Sequence, residues 1–145
     1  MKVAVNKCYG GFGLSAKAIF RYWELKGRSC YFYTVNYCDV LKPLFTLATD
    51  KDLADGWCLS AYDLATVEEV EALTNENYHK HYLYLDRDED EWRADPHLIR
   101  VIEELGAEAN GSCANLQIVE VPINVKWTIN EYDGMEWVAE VHRTW

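Results

Sequence analysis

Val3-Ala4-Val5-Asn6-Lys7-Cys8-Tyr9-Gly10-Gly11-Phe12-Gly13-Leu14-Ser15 is a strand that passes through a glycine-rich turn into a helix. Three glycines in four residues, Gly10, Gly11 and Gly13, let the backbone turn sharply and approach a neighbour closely. Two readings follow. A helix N-terminus behind such a turn offers unpaired N–H groups and a partial positive charge, which suit a phosphate or carboxylate. The plainer reading is a tight strand-to-helix connection with Ser15 as N-cap.

The pattern continues outward from that turn. Leu14, Ala18, Ile19, Tyr22 and Leu25 recur at helical spacing, so Ser15 to Lys26 is read as a helix, stopped by Gly27. Ser29 to Val35 is aromatic and β-branched and is read as a strand. The opening is thus strand–helix–strand, which suggests a βαβ unit. Asn36 to Asp63 reads as loop with short helical or strand pieces. Thr66-Val67-Glu68-Glu69 fits a capping box, predicting a short helix over Val67 to Thr74. Tyr78 to Leu85 alternates and is predicted as a strand carrying His79 and His81 on one face. Asp95-Pro96 marks a helix start, with Leu98, Ile99, Ile102 and Leu105 on its apolar face. Leu116 to Val121 is a further strand. Asp133-Gly134 joins Trp127–Tyr132 to Met135–Val141 as a type I′ hairpin. The expected fold is α/β or α+β, one domain over 1–145. It is a layered sandwich with a mixed sheet, an N-terminal strand–helix–strand and a C-terminal antiparallel hairpin.

Bulk properties narrow the function classes. With 145 residues, 50% hydrophobic and 14% aromatic, the chain has enough apolar material for a substantial core, and disorder is disfavoured. A net charge of −10 disfavours general nucleic-acid binding, because phosphate backbones are repelled. It leaves room for a small anion in a local basic pocket, or for a basic protein partner. The five cysteines form no CxxC pair, and no Cys/His group has zinc-finger spacing, so free thiols in a reducing cytosol are expected. The opening residues lack a signal-peptide pattern, and no apolar run approaches the roughly 20 residues that span a bilayer. A soluble, cytoplasmic protein is expected.

Three constellations invite chemistry. Gly11-Phe12-Gly13-Leu14-Ser15-Ala16 meets the permissive form of the dinucleotide fingerprint, yet the acidic residue expected after the second strand is not clearly placed. The looser reading is an anion held by the loop N–H groups and Lys7. Arg93, just before the Asp95-Pro96 helix start, would add a guanidinium beside a second helix N-terminus; the plain alternative is a solvated arginine. Arg143 with Trp145 would pair a phosphate and stack a base, or else pin the last strand to the core. Catalysis has little support. His79 and His81 have no carboxylate partners at a telling spacing, no local motif selects a Cys–His pair, and Asp86 to Glu91 lacks EF-hand spacing. No cofactor and no metal are expected.

Four words of the sequence are Asn6-Lys7-Cys8-Tyr9-Gly10-Gly11-Phe12-Gly13-Leu14-Ser15, Arg93-Ala94-Asp95-Pro96, Glu131-Tyr132-Asp133-Gly134-Met135-Glu136-Trp137-Val138, and Glu140-Val141-His142-Arg143-Thr144-Trp145. Together they resemble a family of small proteins encoded by bacteriophages and prophages. The resemblance touches both ends and the Asp-Pro helix; Asn36 to Asp90 contributes nothing to it. Small phage accessory proteins often act against host defences. By analogy of role, the resemblance implies a counter-defence protein, or sponge, that sequesters a nucleotide-type immune signal without cleaving it. A cyclic dinucleotide or an ADP-ribose derivative would suit. Such a protein would work in the host bacterial cytoplasm as a homo-oligomer. The expected ligand-binding residues are Asn6, Lys7, Tyr9, Gly10, Gly11, Gly13, Ser15, Arg93, His142, Arg143 and Trp145. Two alternatives stay open: an acidic protein-binding inhibitor of a host defence enzyme, and an enzyme acting on a nucleotide.

Overall fold

The computed structural model describes residues 1–36, 44–56, 59–87 and 89–142. The fold is mixed helix and strand, opening on a strand and a helix and closing on an antiparallel hairpin. The chain divides into two compact units, Met1–Tyr22 with Asp86–Trp145, and Trp23–Leu85. Among the described residues no helix is long and apolar enough to cross a membrane.

In the first unit β1 (Lys2–Asn6) pairs antiparallel with β5 (Leu116–Glu120), in a register that sets Val3 against Val119 and Asn6 against Leu116. The hairpin of β6 (Trp127–Tyr132) and β7 (Met135–Glu140) forms a second two-stranded sheet. Its turn has positive φ at both central residues, Asp133 (49°) and Gly134 (82°), as a type I′ turn demands. Val3, Val5 and Val121 are buried together. Val119, Trp127, Ile129 and Val138 pack against them, so apolar side chains of β1, β5, β6 and β7 share one core.

Helix α1 (Ala16–Leu25) follows the glycine loop, with the Ser15 hydroxyl accepting the Ala18 N–H at 3.1 Å as an N-cap. A 3-10 segment, Asp90–Ala94, leads to the Asp95-Pro96 start. The Asp95 carboxylate accepts the His97 N–H there at 2.7 Å.

In the second unit β2 (Tyr31–Asn36) lies between β3 (Leu44–Leu47) and β4 (Leu59–Tyr62), all antiparallel. Helix α2 (Asp50–Asp55) and helix α3 (Val67–Glu71) both open on capping boxes, from Thr49 and Thr66. Tyr33, Tyr62 and Val70 are the buried centre of this unit, ringed by Phe45, Leu64, Val67, Leu73, Tyr78 and Tyr82.

Three expectations need correction. The strand–helix–strand opening is present in order, but β1 and β2 lie in different sheets, so no βαβ unit forms. Among the described residues the sheet material is three small antiparallel sheets rather than one mixed sheet. Tyr78–Leu85 is not a strand: Tyr78–His81 is helix α4, and only Tyr82 makes a β-bridge, to Tyr62. Tyr78 and Tyr82, four apart on a helical turn, stack with centroids 5.2 Å apart. That pairing needs helical spacing, which the alternating aromatic pattern disguised. The last long helix, α5 (Pro96–Leu105), begins where Asp95-Pro96 predicts.

Candidate functional site

Asn6 is the keystone of the glycine loop. At the end of β1 its side chain is fully buried, so its polar atoms need partners. The amide nitrogen donates to the carbonyls of Cys8 and Gly134, each at 2.7 Å, and the amide oxygen accepts the Asn115 N–H at 2.8 Å. One side chain therefore joins the loop, the β6–β7 turn and the segment before β5. The Asn6 backbone N–H donates to the Glu136 carboxylate at 2.8 Å.

Glu136 is held in turn by Arg93. The two terminal guanidinium nitrogens donate to the two carboxylate oxygens at 2.8 and 2.9 Å, a bidentate pair with both side chains under 10% exposed. Arg93 Nε donates to the Arg87 carbonyl at 2.9 Å. The guanidinium lies over the Phe12 ring, 3.6 Å from its centroid, in a cation–π contact. Phe12 meets Trp92 edge-on, and Trp92 Nε1 donates to the Tyr22 hydroxyl, which donates to Asp95. Arg93 is thus an internal brace rather than a solvated arginine beside a helix N-terminus.

The glycines sit where backbone meets backbone. A Cβ on Gly134 would lie 2.2 Å from the Gly11 nitrogen, and one on Gly10 would lie 2.6 Å from the Cys113 carbonyl oxygen. Gly111 N–H donates to the Gly13 carbonyl at 2.9 Å, with a Cβ there 3.0 Å from Gly13. The loop is therefore clamped between the hairpin turn and the 110–115 segment. Ser15 closes its far end, with N–H to the Ala109 carbonyl and hydroxyl to the Glu108 carbonyl.

The structure brings together most of the predicted site residues. Asn6, Lys7, Gly10, Gly11, Gly13, Ser15 and Arg93 belong to this one bonded assembly around the loop. Lys7 donates from its ammonium to the Glu136 carbonyl at 3.0 Å, and its N–H bonds the Asn115 carbonyl. Tyr9 is 62% exposed on the loop. His142 is exposed beyond β7, and Arg143 and Trp145 lie outside the described residues. Glu136, Phe12 and Trp92 were missing from the predicted set. Period-two alternation in β7 carried a signal for Glu136, because it shares a face with Val138, which packs on the core.

The chemistry open to this arrangement is limited and specific. Among the described residues, the N–H groups of Gly11, Phe12 and Gly13 bond no protein acceptor. The Lys7 ammonium has no carboxylate partner there, only the carbonyl. No group of three His, Cys, Asp or Glu converges to hold a metal ion among the described residues. In the second unit, Asp63 accepts from Arg28 at 2.5 Å and meets His81 Nδ1 at 2.9 Å. Burial pushes the Asp63 carboxyl up, but the hydrogen bonds and charges of Arg28 and His81 outweigh it and hold it below the usual range.

No protein-family model, no curated protein and no solved structure matches the chain.

Proposed function

We propose that the first unit binds a small anionic, nucleotide-type ligand at the glycine loop and releases it unchanged. One observation carries this reading: the loop, Arg93 and the C-terminal hairpin, far apart in sequence, converge on one braced backbone cradle. A loop already held in place loses little entropy when it binds, so its affinity is not spent on ordering. In this reading the N–H groups of Phe12 and Gly13 bind the anion, Lys7 supplies charge, and exposed Tyr9 offers a ring for stacking. Arg93 acts through Glu136 as a positioning residue.

The role we infer is that of a phage-encoded counter-defence protein. It would sequester a cyclic dinucleotide or an ADP-ribose derivative in the host cytoplasm as a homo-oligomer. Support for this role comes from the sequence words alone.

The test is a thermal-shift and calorimetry series with cyclic dinucleotides, ADP-ribose derivatives, NAD and nucleoside triphosphates. A ligand that binds only the native state raises the melting temperature by mass action. One class is expected to give a saturable shift and to be recovered intact. Lys7→Ala should weaken it by about 1.5–3 kcal/mol, the scale of a charge-assisted hydrogen bond. No shift with any class overturns the reading, and turnover of the ligand replaces it with an enzyme.

A further inference from the structure

The outer edge of β6 has the features of a strand-docking site. Among the described residues β6 pairs with β7 alone. In an antiparallel ladder the N–H and C=O groups of successive residues point to opposite sides. Ile129 N–H points away from β7, because it reaches both oxygens of the Asp90 carboxylate, each at 3.3 Å. The Val141 N–H bond to the Lys126 carbonyl, at 2.8 Å, fits the same alternation. Trp127 and Glu131, two residues either side of Ile129, therefore also turn their backbone groups to the open edge.

Asp90 holds the place that a neighbouring strand's carbonyl would take. The bonds are long, and a side-chain carboxylate over an open edge is a familiar guard against indiscriminate pairing.

A cleft of about 790 Å³ runs along this edge, with Ile123, Val125, Trp127 and Val141 among its lining and Glu89 and Glu91 beside them. Ile123 is 82% exposed and Val141 38%, so the cleft lining presents apolar surface to solvent at two points. Glu89 and Glu91 are exposed and have no ion-pair partner among the described residues. Lys126 and the Met1 amine also line the cleft, and the amine is already bonded to the Val121 carbonyl.

We propose that this cleft docks an extended segment of a partner protein that alternates apolar residues with lysine or arginine. The segment adds to β6 as a strand and displaces Asp90 from Ile129 N–H. Its apolar side chains cover Ile123 and Val141, and its cations face Glu89 and Glu91. Charge selects the occupant: the chain carries −10, so a cationic strand is attracted and an acidic one repelled. The proposal is independent of the glycine-loop reading.

The test uses short end-blocked peptides titrated into the isotopically labelled protein and followed by amide NMR. One alternates lysine with valine, a second alternates glutamate with valine, and a third is the lysine peptide N-methylated along one edge. Only the lysine–valine peptide is expected to bind, with shifts centred on Trp127 to Glu131, protection of the Ile129 amide, and weakening by added salt. Ile123→Ser, at an exposed position that tolerates change, should weaken binding by about tenfold without altering the charge. Asp90→Ala should strengthen it, since the competing acceptor is gone; a merely acidic patch would give the opposite sign. Three results overturn the proposal: equal binding of the glutamate peptide, shifts mapping away from β6, or no binding by a natively folded protein. If the same amides shift with protein concentration and no peptide, the occupant is a second copy of the chain and the partner assignment falls.

Discussion

Replacing Glu136 by glutamine keeps the shape of the side chain and removes its charge. The Arg93 guanidinium is then left buried, its side chain 7% exposed, with no anion to face. Breaking a buried pair by removing one partner costs about 3–5 kcal/mol, because the remaining charge keeps its desolvation penalty and loses its compensation. A glutamine oxygen in the place of Oε2 still accepts from both Asn6 N–H and Arg93 Nη1, but the amide NH2 then faces Arg93 Nη2, donor against donor, and that bond is lost. Against a total folding free energy of about 5–15 kcal/mol, the loss is a large fraction.

Arg93→Met should cost a similar amount from the other side, leaving a carboxylate buried among Asn6 and the loop. Replacing both, Arg93→Met with Glu136→Leu, removes both charges. Its expected cost is well below the sum of the single changes; what remains is the orphaned Asn6 N–H, about 1–3 kcal/mol, and the lost contact over Phe12. The assay is urea unfolding of the wild type, the singles Glu136→Gln, Glu136→Leu and Arg93→Met, and the double, with amide exchange at Asn6 as the local readout. Additive single losses, or a Glu136→Gln cost below about 1 kcal/mol, would refute the claim that this pair braces the loop.

Gly134→Ala and Gly11→Ala separate sterics from backbone preference. Both residues have positive φ, but only at Gly134 does a Cβ strike backbone, so its replacement should cost about 2 kcal/mol or more beyond the Gly11 change in denaturant melts. Burial pushes the Cys30 thiol up to about 12, whereas Cys113 is exposed. At pH 8 a maleimide should therefore label Cys113 readily and leave Cys30 untouched in the folded protein, as peptide mass mapping would show. Hydrogen bonds from Arg21 and then Arg100 hold the Glu104 carboxyl down to about 2. Its contribution to stability is complete above the ordinary carboxylate range and is lost as pH falls through about 2. Carboxyl NMR titration should show the low midpoint, and Arg21→Ala should raise it.

Much of the local structure was legible because it is written in short-range chemistry. The capping box at Thr66, the N-cap at Asp95, the Asp133-Gly134 turn and the apolar face of α5 each depend on residues within a turn or two of one another. The α4 region was misread for the same reason in reverse. Its aromatics and histidines satisfy a period of two on paper, while the stacking of Tyr78 on Tyr82 requires a helical turn. The glycines of the loop and the arginine before a helix are conspicuous in the sequence, and the structure gathers Asn6, Lys7, the loop glycines and Arg93 around one turn. Its internal logic was not legible, since the partner of Arg93 stands 43 residues away.

The sequence by itself determined the strand-to-helix glycine turn, the hairpin and its turn type, the starts of α3 and α5, and a net charge of −10. These follow from backbone sterics, side-chain capping and summed charge, none of which needs a distant partner. Only the tertiary structure decided that β1 takes β5 rather than β2 as its neighbour, that Arg93 is a buried brace, and that the glycines admit the hairpin turn and the Cys113 segment against the loop. Strand partnership and the pairing of buried charges depend on which surfaces meet when the chain closes. Residues more than a hundred positions apart, such as Asn6 and Gly134, then share one hydrogen bond.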